Sequence, residues 1–343
     1  EKNIMKKCYP LELVNQVANK YQDCWNIVED FRNDSTLPWW DKRCYIPIAA
    51  GLAIAADGDM SKKAIWNSSL EADLIVATAA WRLHKQVYSF DPAMEKVLIN
   101  QADQNLKIPI DILNKIPFFC VYIETTTMED MDGFFVHFES DTNTGELELR
   151  FLIVYDDGDI LPISFHLIEG GTINDGINAS FEKANENKRA LRADKYEIDD
   201  AKDYTRDLCC KLLQLVLYVC SKNKEMVEDP VQKKITRQPK SFQFIKDKYR
   251  EVQRWNFGEK SGDFIRKFYK ALDFEEEMKK KNEINITNNV KSSKINGTSK
   301  RPHLRKAHWH NYWIGSDNEG NRTLELKWMA PMFIHKDDVD EDA

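Results

Sequence analysis

The change of texture at Pro117 constrains the fold of this chain more than any other feature. Beyond it come four short runs rich in aromatic and β-branched residues: Phe118 to Thr126, Gly133 to Glu139, Leu147 to Tyr155 and Ile160 to Ile168. Such runs fit a pleated, half-buried surface and read as strands. The spacers between them carry turn chemistry, with Asn143-Thr144-Gly145 in one and Asp156-Asp157-Gly158-Asp159 in another. Spacers this short join strands as hairpins, so the spacing predicts an antiparallel meander.

The flanking segments carry helical periodicity. Leu13, Val14, Val17, Tyr21, Cys24, Trp25 and Val28 recur at three- and four-residue intervals after Pro10, which suits a first helical turn. Ile46 to Ala56 and Leu70 to Phe90 extend the helical texture, and Asp91-Pro92 restarts a short helix. After the strands, Ile177 to Leu191 and Ala201 to Ser221 read as helices. The second is apolar nearly all round, as a centrally packed helix would be. Val252 to Phe257 suggests a further strand and Gly262 to Asp273 a further helix. The expected class is α+β. It has a helical N-terminal part over 1–116, a central antiparallel sheet backed by helices over 117–281, a flexible polar insertion over 282–300, and a C-terminal β segment with an acidic tail over 301–343.

Bulk chemistry removes several classes of function. Against 49 basic side chains stand 56 acidic ones, a net charge of −7, so no global positive field recruits nucleic acid or an anionic membrane. Any contact with an anion has to come from a local patch. The seven cysteines include no C-x-x-C pair, and an odd count suits reduced, buried thiols in a cytoplasmic protein. The most apolar run, Leu208 to Cys220, is too short to span a bilayer and is interrupted by Lys211 and Gln214, so no membrane partner is expected. The N-x-S/T matches are then chance occurrences. No P-loop, G-x-S-x-G or H-E-x-x-H pattern occurs, and no cofactor is expected. Asp156, Asp157 and Asp159 read as a turn before they read as a cation site, and of the adjacent Trp39 and Trp40 one is expected to be exposed.

The densest chemistry lies near the carboxyl end, in Arg301-Pro302-His303-Leu304-Arg305-Lys306-Ala307-His308-Trp309-His310-Asn311-Tyr312-Trp313-Ile314-Gly315. Three of the seven histidines fall here, and Lys291 to Lys306 holds six basic residues and no acid. If the run is extended, His308, His310 and Tyr312 share one face, and Trp309, Asn311 and Trp313 the other. Metal binding is disfavoured because no cysteine or carboxylate lies nearby to complete a ligand set. Two histidines beside a cation are the residue types that cleave RNA by acid–base catalysis, so a ribonuclease using the His303 to His310 cluster stays open. So does recognition, in which His303, Arg305, Lys306, His308 and His310 contact an anionic group while Tyr312 and Trp313 offer flat surfaces. Against all of these, tryptophans in a strand are ordinarily core and a histidine among them ordinarily satisfies a backbone group.

The pattern Arg-Pro-His-x-Arg-Lys-x-His-Trp-His-x-Tyr-Trp-x-Gly, followed by Leu-x-Leu-Lys-Trp at 324–328, resembles the signature of the second type V-A anti-CRISPR family. Ala80-Trp81-Arg82 with Tyr88, and Cys120-Val121-Tyr122 after Pro117, resemble segments of that family in the same order. The resemblance implies a binding protein of mobile elements rather than a conventional enzyme. Its implied partner is the nascent N-terminal peptide of a type V-A CRISPR effector nuclease, with loss of the corresponding message, and the ribosome or the message itself is the alternative partner. Lys306 stands where the family pattern has arginine and Ala307 where it has glycine, which replaces a planar fork with a point charge.

Overall fold

A computed structural model describes residues 8–37, 39–59, 61–141, 144–189, 196–228, 251–286, 303–315 and 323–334. The first helical segment is two helices, α1 (Tyr9–Lys20) and α2 (Cys24–Asn33). The periodic stretch from Leu13 to Val28 had suggested one. Asp23 breaks it by adopting a left-handed conformation with φ 57°, which aspartate tolerates better than most residues. α3 (Ile48–Ala55), α4 (Lys62–Asn67) and α5 (Ser69–Trp81) follow, and α5 is buried along nearly its whole length from Ala72 to Trp81.

The expected helix from Leu70 to Phe90 also stops early. His84 and Lys85 donate their backbone N–H groups to the Trp81 carbonyl at 3.1 and 2.8 Å, Lys85 turns left-handed at φ 47°, and β1 (Gln86–Phe90) begins. The apolar residues Leu83, Val87 and Phe90 mimic helical spacing, and no glycine or proline marks the stop. The Trp81 indole N–H donates to the Gln86 carbonyl at 2.8 Å and pins the new strand under the helix it leaves. At α6 (Pro92–Ile99) the restart is as expected, with the Asp91 carboxylate accepting from Ala93 N–H at 2.9 Å.

α7 (Ile110–Leu113) leads to the predicted meander: β2 (Cys120–Glu124), β3 (Met131–Ser140), β4 (Leu147–Tyr155) and β5 (Ile160–His166), each antiparallel to the next. α8 (Ile173–Arg189) and α9 (Tyr196–Cys220) come next, then β6 (Met226–Glu228), β7 (Gln253–Phe257) and α10 (Glu259–Ile286). The sheet has seven strands in the order β5-β4-β3-β2-β1-β7-β6. It is mixed where a purely antiparallel one was expected, because β1 runs parallel to both β2 and β7. α10 extends through the start of the polar stretch to Ile286. The rest of the predicted insertion and the acidic tail lie outside the described residues.

Both faces of the sheet are covered, so its strands alternate between two cores rather than between core and solvent. Phe135, Tyr122, Leu152 and Val154 pack against α1, α2, α3 and α5. Phe134, Val136, Phe151 and Ile153 face α6, α7 and α9, where Leu212, Val216 and Tyr218 fill the centre. Gly176 lets α8 approach β5, since a Cβ there would sit 2.6 Å from the His166 carbonyl oxygen. No helix among the described residues is long and apolar enough to cross a membrane.

Candidate functional site

The C-terminal run forms strands, as its alternation predicts. β8 (His303–Arg305) pairs with β11 (Met332–Ile334), and β9 (His308–Ile314) pairs antiparallel with β10 (Thr323–Met329). The register sets Trp309 opposite Trp328, Asn311 opposite Leu326 and Trp313 opposite Leu324 on one face. His310 opposite Lys327 and Tyr312 opposite Glu325 lie on the other.

The first face docks the hairpin on α9 and the loop after it. Leu324, Leu326 and Trp328 are buried, and the Trp328 ring meets Tyr218 edge to face at 6.1 Å. Trp309 donates its indole N–H to Gln214 at 2.7 Å. Asn223 donates to the Trp328 carbonyl at 2.7 Å and accepts its N–H at 3.0 Å, fixing the strand in register. Trp313, on the same face by register, is 63% exposed. The packed face therefore ends before it.

The second face is open. The His310 and Tyr312 rings lie 4.1 Å apart between centroids, and the Lys327 ammonium sits 4.5 Å from the Tyr312 ring centre. Glu325 is bridged to Lys222 at 2.9 Å, and that hydrogen bond holds its carboxyl below the usual range. Arg305 and Lys306 are exposed. His308 is held at both ring nitrogens, Nδ1 3.1 Å from the Lys306 carbonyl and Nε2 3.1 Å from the Arg305 guanidinium. A carbonyl can only accept and a guanidinium can only donate, so Nδ1 donates to the first and Nε2 accepts from the second. His303 belongs to β8, and its side chain lies outside the described residues.

Lys306, His308 and Trp309 line a cleft of about 600 Å³ whose opposite wall is Val97 of α6, Asn100 and Gln101 just after it, and Tyr269 of α10. Sequence reasoning missed this wall. Its one legible signal is a surplus of aromatics on α10: Ile265 and Phe268 fill the buried stripe, leaving Phe264 and Tyr269 46% and 45% exposed. Among the described residues no group of three histidine, cysteine or carboxylate side chains is placed to hold a metal.

A cluster of buried ionisable groups lies on the opposite face of the sheet. Glu139, Glu148 and His166 stand directly opposite one another across β3, β4 and β5 at the floor of a second cleft of about 470 Å³. Burial, with Glu148 and Asp73 adding to it, pushes the Glu139 carboxyl up to about 8, against the opposing pull of Arg150 and the Ile48 N–H. Glu139 accepts that N–H at 2.8 Å, Arg150 reaches Asp73 of α5 at 2.5 Å, and His166 meets Glu148 at 3.0 Å. These bonds tie α3 and α5 to the sheet, which is a structural role.

The chain matches no curated protein sequence. Its fold is similar to that of a solved structure described as the crystal structure of AcrVA2, with a TM-score of 0.60 at 16% identity, covering 96% of this chain and 100% of that one. The model of the anti-CRISPR type V subtype A2 family matches residues 88–336, which takes in β1 from Tyr88 onward, the other six strands of the sheet, the α6 wall of the cleft and the C-terminal hairpin. The chain belongs to the anti-CRISPR type V subtype A2 (AcrVA2-like) family.

Proposed function

We propose that this anti-CRISPR protein recognises the nascent N-terminal peptide of a type V-A CRISPR effector nuclease in the bacterial cytoplasm and thereby lowers the nuclease's message and protein levels. The observation that carries this reading is the position of Lys306, His308 and Trp309 on the wall of the 600 Å³ cleft, beside an open strand face bearing His310, Tyr312 and Lys327. A nascent peptide is extended and unfolded, so a cleft with an aromatic wall and exposed cations suits it, whereas a folded nuclease offers no free segment. The message is then lost through a host nuclease.

The ribonuclease reading draws less support. A general base needs a ring nitrogen free to take a proton, and both nitrogens of His308 are engaged by Lys306 and Arg305. Purified protein incubated with RNA decides this point: cleavage abolished by His308→Ala or His310→Ala would install the ribonuclease instead. The proposal itself is tested by titrating a labelled peptide of the nuclease's N-terminal residues and following fluorescence anisotropy. Saturable binding with a Kd of about tens of micromolar or tighter is expected. A flat titration overturns the reading.

A further inference from the structure

We infer that the cleft at Trp309 is one end of a longer groove built for a polypeptide segment that carries an apolar side chain flanked by carboxylates. The inference rests on the peptide-recognition reading and names the chemistry of the peptide. A second cleft of about 540 Å³ runs between α6 and α10 and shares Val97, Asn100 and Tyr269 with the first. The two are continuous along one side of α6. Val97, Ile265, Leu106 and the Trp309 ring supply apolar floor and wall.

The rim is cationic in a chain of net charge −7. Lys96, Lys270 and Lys306 are exposed along it, and none has a carboxylate partner among the described residues. Arg266 differs, being committed to Asp91 at 2.8 Å and to Asp263. Asp103 is the one acid among the described residues that line the groove. Three uncommitted ammonium groups around an apolar floor complement carboxylates set beside an apolar anchor.

RNA would satisfy the same cations, but the apolar floor and Gln101 favour a peptide. The Gln101 amide nitrogen donates to the Val97 carbonyl at 3.1 Å, while its carbonyl oxygen is buried in the groove wall with no hydrogen-bond partner. A buried acceptor without a donor is rare and costly. A peptide brings a backbone N–H at every residue, whereas RNA offers donors only at its ribose hydroxyls and base edges. The apolar floor likewise has a use for a leucine or phenylalanine side chain.

The experiment compares two labelled peptides identical except that a central phenylalanine is flanked by glutamates in one and by lysines in the other, together with a labelled RNA oligonucleotide. The glutamate peptide is expected to bind saturably, to weaken about tenfold or more in the Lys96→Glu/Lys270→Glu protein, and to be unaffected by Lys63→Glu on α4, which lies on the other side of the sheet. Retained melting temperature shows that these exposed substitutions leave the fold intact. Equal binding of the lysine peptide, displacement by RNA at lower concentration, or indifference to the double substitution would each overturn the inference. Titrating the nuclease's N-terminal peptide against the same proteins separates the two claims. If it binds undisturbed by Lys96→Glu/Lys270→Glu and is not displaced by the glutamate peptide, the groove inference fails and the reading stands. If the glutamate peptide binds and the nuclease peptide does not, the reading fails and the groove chemistry stands.

Discussion

The indole N–H of Trp309 on β9 donates to the side-chain carbonyl of Gln214 on α9 across 2.7 Å, and Gln214 is wholly buried with its amide nitrogen unpartnered. This polar contact, set among Leu324, Leu326 and Trp328, joins the Asn223 bonds to Trp328 in orienting the C-terminal hairpin behind the sheet. A half-satisfied buried amide is an expensive device, since removing its one partner leaves both ends desolvated. Trp309→Phe is therefore expected to cost about 1–2 kcal/mol, and Trp309→Phe/Gln214→Leu less than Trp309→Phe alone, because the pair is then replaced by apolar surface. Denaturant midpoints of the two proteins check the order. A double variant less stable than the single one would show that the unpartnered Gln214 amide is not the costly group.

Glu95 anchors the α6 wall of the groove from beneath. Its fully buried carboxylate accepts from the backbone N–H and hydroxyl of both Thr126 and Thr127, at 2.7 to 3.1 Å, tying α6 to the loop after β2. Hydrogen bonds to a charged acceptor are the stronger kind. Glu95→Gln keeps the shape but turns one acceptor into a donor facing donors, and is expected to lower unfolding free energy by about 2 kcal/mol. Thermal unfolding measures it, and a change within about 0.5 kcal/mol would refute the assignment.

The Glu139 carboxyl, pushed up to about 8, makes a signed prediction about pH. Between its ordinary value and about 8 the folded protein holds a proton there that the unfolded chain has released, so this group's contribution to stability falls as pH rises through that window. His137 works the other way. Burial lowers its pKa to about 4, so its contribution falls as pH drops from 6.5 toward 4. Glu139→Gln removes the first effect and leaves the second. The difference in unfolding free energy between variant and parent should then move in the variant's favour from pH 5 to pH 8, as read by denaturant titration at each pH. A difference independent of pH would mean that Glu139 is ionised in the folded protein throughout.

The periodic parts of this architecture were legible in the residues and the strained parts were not. The meander from Cys120 to His166 announces itself because each strand is short, β-branched and bounded by turn residues such as Gly158, whose φ of 95° no other residue adopts cheaply. β1 escaped because Lys85, a residue with no turn signature, takes the left-handed conformation that ends α5. The parallel pairing of β1 with β7 escaped for a different reason. Gln86 and Gln253 meet across 167 positions of chain, and no local pattern encodes a contact that distant. The alternation of β9 correctly separated His308, His310 and Tyr312 from Trp309, but not where the core ends along the strand, which α9 determines. The cleft wall on α6 and α10 is tertiary in the same sense, because Val97 and Tyr269 look like ordinary amphipathic helix positions until the hairpin closes beside them.

Trp313 and Trp309 share a strand and a face but not an environment, and that difference separates recognition from packing. Trp313 is 63% exposed, so Trp313→Ala removes little buried surface and is expected to change unfolding free energy by less than about 0.5 kcal/mol. If its indole serves as a flat anchor for a partner, the same substitution weakens binding of the nuclease's N-terminal peptide by about tenfold or more, the cost usual for an aromatic anchor at an interface. Tyr312→Ala tests the other face, where loss of the ring also frees Lys327 and His310, at an exposed cation–π cost of about 0.5–1 kcal/mol. Parallel thermal melts and peptide titrations on both variants give two numbers per residue. Weakened binding at unchanged stability assigns the hairpin to recognition, whereas lost stability at unchanged binding would return these aromatics to the ordinary business of filling a protein interior.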